Sequence, residues 1–174
     1  MKRILFLVLS LTFTTFLFAQ IPPVPSLLKV PEGNKLSVHV YAKGLQIYQC
    51  ARDITDTSKI KWVFVGPEAI LYANARYKHI IGKHYAGPVW ESSDGSIITG
   101  AKMQQTEAPD PDTIPWLLLS SSSNTGSGIF SKITFIQRLN TKGGKAPVMK
   151  ANNENIGKQI RVPYTAEYFF YQAG

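Results

Sequence analysis

Residues 35–51 read KLSVHVYAKGLQIYQCA. In the first half Leu36, Val38 and Val40 alternate with Ser37, His39 and Tyr41. In the second, Leu45 and Ile47 are opposed by Gln46, Tyr48 and Cys50. A period of two puts alternate side chains on opposite sides of an extended chain, so both halves predict strands. Lys43-Gly44 between them reads as a turn, which makes the pair a β-hairpin with one buried face.

The same period continues outward from this stretch. Strands are expected over 60–65, ended by Gly66-Pro67, then 68–72, 96–105, 114–121, 128–140, 160–162 and 167–171, with 79–84 leading into the patch at 82–96. The 128–140 run is the longest, with Ile129, Ile133, Phe135 and Leu139 on one face. Between the strands lie segments rich in Gly, Pro, Asn, Asp and Ser: 53–59, 74–76, Asp94-Gly95, 108–112 and 124–128. These residue types supply turn geometry. Residues 141–159 form a basic, Asn-rich loop. No stretch holds a 3.6-residue period, and no internal repeat or linker divides the chain. The expectation is an all-β, single-domain antiparallel β-sandwich or barrel of about eight or nine strands.

The ends are of different character. Lys2-Arg3 followed by the apolar run Ile4–Phe18 and Ala19 has the form of a secretory signal peptide. Pro22, Pro23 and Pro25 follow directly, and no second hydrophobic span appears. The expected organisation is a signal peptide over 1–19, a proline-rich lead-in over 20–33 and one β domain over 34–174. The protein is then exported, periplasmic or extracellular, with no transmembrane segment after cleavage. The first 19 residues hold two of the 19 basic and none of the 11 acidic residues, so the remainder carries +6. That charge lacks the aromatic-interleaved stripe of a nucleic-acid surface, and no nucleic-acid partner is expected. Cys50 is the single cysteine, and its strand-like setting predicts a buried small hydrophobe.

The densest chemistry is GKHYAGPVWESSDGS, residues 82–96. Its glycines, Pro88 and Asp94-Gly95 account for turns. His84, Tyr85, Trp90 and Glu91 remain as the candidate site: Trp90 and Tyr85 as an apolar wall, His84 and Glu91 as groups that orient a polar ligand. Gln46 and Tyr48 are secondary candidates for the lining. His84 and Glu91 also have the residue types of a base and an acid, and Glu68 with Glu91 those of a glycosidase pair. The three histidines show no metal-site spacing. Ser120–Ser123 lacks a nucleophile elbow. Gly126-Ser127-Gly128 opens a β-patterned run where a nucleotide fingerprint must open a helix. Asp110-Pro111-Asp112 has too few ligands near it for calcium. Neither a metal nor a cofactor is expected. The function read from these residues is binding of a small molecule or glycan, with an envelope or extracellular hydrolase using Glu91 and His84, or a protein-interaction module, as alternatives.

Several of these pieces also occur together elsewhere. They are GLQIYQC (44–50), WVF (62–64), HYAGPVWE (84–91), DGS (94–96), IPWLLL (114–119), GGKAP (143–147) and VPYTA (162–166). In this order they resemble an uncharacterised family of exported bacterial and fungal proteins, a domain of unknown function. The resemblance spans nearly the whole chain after residue 19. It implies secretion and a single domain, and it supplies no catalytic residues. Some fungal relatives carry a malate dehydrogenase label, which this chain, lacking a nucleotide fingerprint, does not support. The resemblance also implies a second cysteine where Ala151 stands. With alanine there, no bridge from Cys50 tethers the 141–159 loop.

Overall fold

A computed structural model describes residues 23–174. The segment expected to be a signal peptide lies outside the described residues. Eight strands make up one antiparallel sheet: β1 (Asn34–Arg52), β2 (Ile60–Tyr72), β3 (Ile80–Tyr85), β4 (Val89–Ser92), β5 (Ile97–Thr106), β6 (Trp116–Thr125), β7 (Ile133–Gly143) and β8 (Gln159–Ala173). Each strand pairs with the next, and β8 pairs with β1, so the sheet closes into a ring. The all-β expectation holds. Among the described residues, no helix is long and apolar enough to cross a membrane.

The expected hairpin over 35–51 is instead one continuous 19-residue strand. Gly44 is not a turn. It sits within β1, paired with Ala69 of β2 on one side and Tyr164 of β8 on the other. Gly66-Pro67 likewise lies inside β2 rather than ending it. Ile47 pairs with Gly66 and Tyr48 with Phe64, so Val65 is the extra residue of a bulge. Pairing of β2 with β3 begins only at Glu68, which leaves Pro67 in an edge-like place where a missing N–H is tolerated. The two expected C-terminal strands are one strand, β8. The strand expected from residue 128 begins at Ile133, and β1, not this one, is the longest.

Alternation divides the apolar residues into two clusters. Inside the ring, Val40, Ala42, Leu71, Trp90, Ile98, Leu119, Ile136, Tyr168 and Phe170 pack together. Outside it, Trp116 and Leu118 of β6, Leu139 of β7 and Phe169 and Tyr171 of β8 form a second cluster with Leu28. The strands β6–β8 are therefore covered on both faces. This explains the unbroken run Trp116–Leu119, because a strand buried on both sides does not need a polar face. It also separates Ile133, which faces inward, from Phe135 and Leu139, which face outward; the expected single face joined them.

The outer cover is the described part of the proline-rich lead-in, residues 23–33. Its short 3-10 turn, Ser26–Leu28, seats a fully buried Leu28, with Val24 and Val30 packed beside it. The buried Gln137 amide donates to the Leu28 carbonyl at 2.6 Å and accepts from the Tyr171 hydroxyl at 2.7 Å. The lead-in is thus a strap that completes the second cluster. Leu28→Ala is expected to lower stability by about 2 kcal/mol, near the lower end for a buried leucine because the strap can partly collapse. Urea unfolding of the variant measures it, and a change under about 0.5 kcal/mol would show that the strap does not hold the fold.

Asp94 does the turn work expected of it and more. Gly95 takes a φ of 86°. Asp94 Oδ1 accepts from the Ser96 amide and hydroxyl, and Oδ2 accepts from the Ile129 amide at 2.8 Å. The carboxylate so ties the β4–β5 turn to the loop before β7. Ser96, Ile129 and Ser92 as donors hold its pKa down to about 2.

Candidate functional site

The quoted patch spans β3, the turn 86–88 and β4. In the register, His84 pairs with Trp90 and with Ala69, and Trp90 pairs with Ile98. All four face the inside of the ring. The His84 imidazole stacks on the Trp90 indole, with centroids 4.4 Å apart and planes 7° from parallel. Tyr168 meets both rings edge-on, at 5.2 and 5.3 Å. Gly100 leaves the space the indole fills: a Cβ there would stand 3.0 Å from it.

His84 Nδ1 lies 2.8 Å from the Val89 carbonyl. A carbonyl only accepts, so Nδ1 carries the proton and the neutral tautomer is fixed. Burial is the main influence on the ring and pulls its pKa down to about 3; Arg138 pulls in the same direction and the Val89 bond opposes.

Strand alternation separates the candidates taken from this patch. His84 and Trp90 face inward. Tyr85 and Glu91 face outward with Lys83, where the Tyr85 hydroxyl donates to Glu91 at 3.0 Å and the Lys83 ammonium stands 3.1 Å from the same carboxylate. Lys83 first, and Tyr85 second, hold Glu91 below the usual carboxylate pKa. The sheet thus stands between His84 and Glu91, and they do not form an acid–base pair. Glu68 is also outward and ion-paired with Arg161. A general acid at neutral pH needs a raised pKa and an open proton, and Glu91 has neither. Among the described residues no three His, Cys, Asp or Glu side chains converge on a metal-sized site. Gln46 and Tyr48 are buried but do not line the cavity beside His84 and Trp90: the Tyr48 hydroxyl donates to the Gly144 carbonyl at 2.7 Å, and Nε2 of Gln46 has no partner among the described residues.

A cavity of about 220 Å³ opens beside His84 and Trp90, at the end of the ring marked by Gly87-Pro88. Its wall is His84, Trp90, Tyr168, Leu117 and Leu119. Its lip is Phe64, Val65 and Pro88, with Phe64 and Val65 about half exposed. Two cations complete it: Arg138 of β7 and Lys102 of β5. Sequence reasoning missed Arg138, Lys102, Tyr168, Phe64 and Val65, because these residues come from four other strands. Arg138 pairs with Leu117 on one side and Tyr168 on the other, so three neighbours in space are drawn from positions 117, 138 and 168. One signal was available. An arginine two residues after Ile136 occupies an inward position of a buried strand, where charge is rare unless used.

Among the described residues two buried donors of the wall, Trp90 Nε1 and the Tyr168 hydroxyl, have no hydrogen-bond partner. Buried polar groups are usually satisfied, and an orphan asks for a reason. A larger groove of about 440 Å³ lies on the outer face, lined by Tyr41, Tyr77, Asn140 and Glu167 among others. There Glu167 accepts from Asn140 at 3.0 Å and contacts His39 at 2.7 Å, while Nε1 of Trp116, in the same lining, has no partner among the described residues. What sets the interior cavity apart is that aromatic rings, two cations and two unpartnered donors line one space.

Fold and site together define a class: a closed, single-sheet β domain with an aromatic-walled cavity at one end. The family described as "Protein of unknown function (DUF3455)" matches residues 31–172, and the chain belongs to that family. No curated protein and no solved structure matches it.

Proposed function

We propose that this protein binds a small cyclic ligand in the cavity beside His84 and Trp90, and that it does so after export. One observation carries the reading: a 220 Å³ cavity walled by aromatic rings whose buried donors, Trp90 Nε1 and the Tyr168 hydroxyl, are left without protein partners. Ligand sites of this kind are mostly apolar with a few converging polar groups. The volume suits one ring, since an engineered cavity of about 150 Å³ holds benzene. The sequence pattern of residues 1–19 supports the export part.

His84 acts here as a fixed neutral wall. Its proton stays on Nδ1 throughout the ordinary pH range, so it offers a flat polarisable face. The binding mode is a preformed pocket in which Trp90 and Tyr168 contribute both apolar area and one donor each.

A panel of monosaccharides and single-ring aromatic compounds, screened by thermal shift, tests the reading. A ligand at 100 times its Kd adds about 2.7 kcal/mol, which raises the midpoint of a domain this size by roughly 5 to 10 °C. Leu117→Trp fills the cavity and is expected to abolish the shift while the fold persists by circular dichroism. A panel with no stabilising member, or a shift unchanged by Leu117→Trp, would sink the reading.

A further inference from the structure

The cavity has a sign. Arg138 and Lys102 both line it. Among the described residues neither lies within ion-pair distance of a carboxylate; the five ion pairs there involve other residues. Lys102 donates only to the Gln105 side chain at 3.2 Å. Arg138 spends Nε and Nη2 on one acceptor, the Pro115 carbonyl, at 3.2 and 2.8 Å. A guanidinium has five N–H donors, so three stay free. That bond also fixes the guanidinium plane without satisfying its charge.

The remaining groups agree with these two. Trp90 Nε1 is a donor only, and the Tyr168 hydroxyl has a proton to give. Burial pushes the Tyr168 pKa up, with Arg138 and Tyr164 beside it pulling it partly back, so it keeps its proton rather than becoming a phenolate. His84 already gives its one proton to Val89. The cavity therefore offers two cations and two unpartnered donors and no carboxylate.

We propose that the ligand is a small cyclic carboxylic acid, bound as its anion, with the ring against Trp90 and Tyr168 and the carboxylate on the free edge of Arg138, Lys102 closing from the rim. The inference rests on the cavity reading above and adds the charge and shape of the ligand. A planar carboxylate matches the fork of a guanidinium, which a point cation does not. One ring plus a carboxylate also matches the volume.

Benzoate and benzamide are the probes, since they share size and ring and differ in charge. Calorimetric titration of the purified protein is expected to give benzoate at least tenfold tighter binding than benzamide, with the difference shrinking as salt rises. Arg138→Gln is expected to narrow that ratio to within about threefold. Lys102→Gln, at an exposed rim position, is expected to narrow it less and serves if the first variant fails to fold. Equal affinity for the two probes overturns the anion inference and leaves the cavity reading standing. Binding of neither overturns the anion inference, and the cavity reading falls with it when the monosaccharides of the wider panel also fail to stabilise the protein. A benzoate preference unchanged in both variants, or inorganic phosphate binding as well as benzoate, also overturns the assignment of a cyclic carboxylate to this edge.

Discussion

Gly44→Ala is expected to destabilise the protein by about 3 kcal/mol or more, the upper end for forcing a methyl into a packed interior. A Cβ at this position would press into the Glu68 carbonyl oxygen and the Cα of Ala69, and would stand 2.6 Å from the Ala69 Cβ. These are main-chain atoms and a methyl of the paired strand, not the end of a flexible side chain, so they cannot swing away. Relief requires β1 and β2 to separate where β1 is also held by β8 at Tyr164. Gly44 and Ala69 form a small-residue seam beside the large rings of His84 and Tyr164, and a closed sheet fills its inside by such alternation of small and large. For a domain of about 150 residues the expected fall in midpoint is roughly 6 to 12 °C. A urea-derived stability within about 0.5 kcal/mol of the parent protein would refute the close-approach account of this glycine.

The same residue shows where sequence reasoning succeeded and failed. Alternation across 35–51 identified strands correctly, because a period of two is a local property of extended chain. What it could not decide was the meaning of Gly44. A missing Cβ serves a tight turn and a close backbone approach equally well, and only the partner strand tells them apart. Gly66-Pro67 was misread for the same reason. Burial of β6–β8 on both faces was invisible because it depends on where residues 23–33 dock, and nothing local ties Leu28 to Gln137.

The site was legible in half. His84 and Trp90 lie where the patch pointed, inside and at one end of the ring. Tyr85 and Glu91 do not, and the alternation already used for the strands forbids consecutive residues from sharing a face: 84 and 85, or 90 and 91, must part. Arg138, Lys102 and Tyr168 enter only through register across several strands. The glycines and Trp90 are then two sides of one arrangement. Gly100 makes room for the indole, the indole carries His84, and the two together form the wall of the cavity.

That wall carries a second large effect, on acid stability. Buried against Trp90 and Tyr168, with the Arg138 cation acting on it, His84 holds its pKa near 3 in the folded protein, against an ordinary value of 6.5. Between those values the unfolded chain binds a proton at this site and the folded chain does not. Stability therefore rises with pH across the window and is lost as pH falls from about 6.5 toward 3, at about 1.4 kcal/mol per unit. From pH 7.5 to 4.5 the expected loss from this one group is roughly 2 to 3 kcal/mol, and over the full window roughly 4. The carboxylate of Asp94 adds its own loss only lower, as pH falls from the ordinary carboxylate range through about 2. His84→Phe keeps a flat ring against Trp90 and removes the titrating group. Its stability, measured by urea unfolding at pH 7.5 and at 4.5, is expected to change by at least 2 kcal/mol less than that of the parent. The variant gives up the Val89 hydrogen bond, so it starts somewhat lower at pH 7.5 and meets or passes the parent near pH 4.5. Parallel pH profiles for the two proteins, or a His84 ring that titrates near pH 6 by NMR, would mean that the imidazole is reached by water and that the cavity wall is not the dry aromatic surface the ligand-binding reading requires.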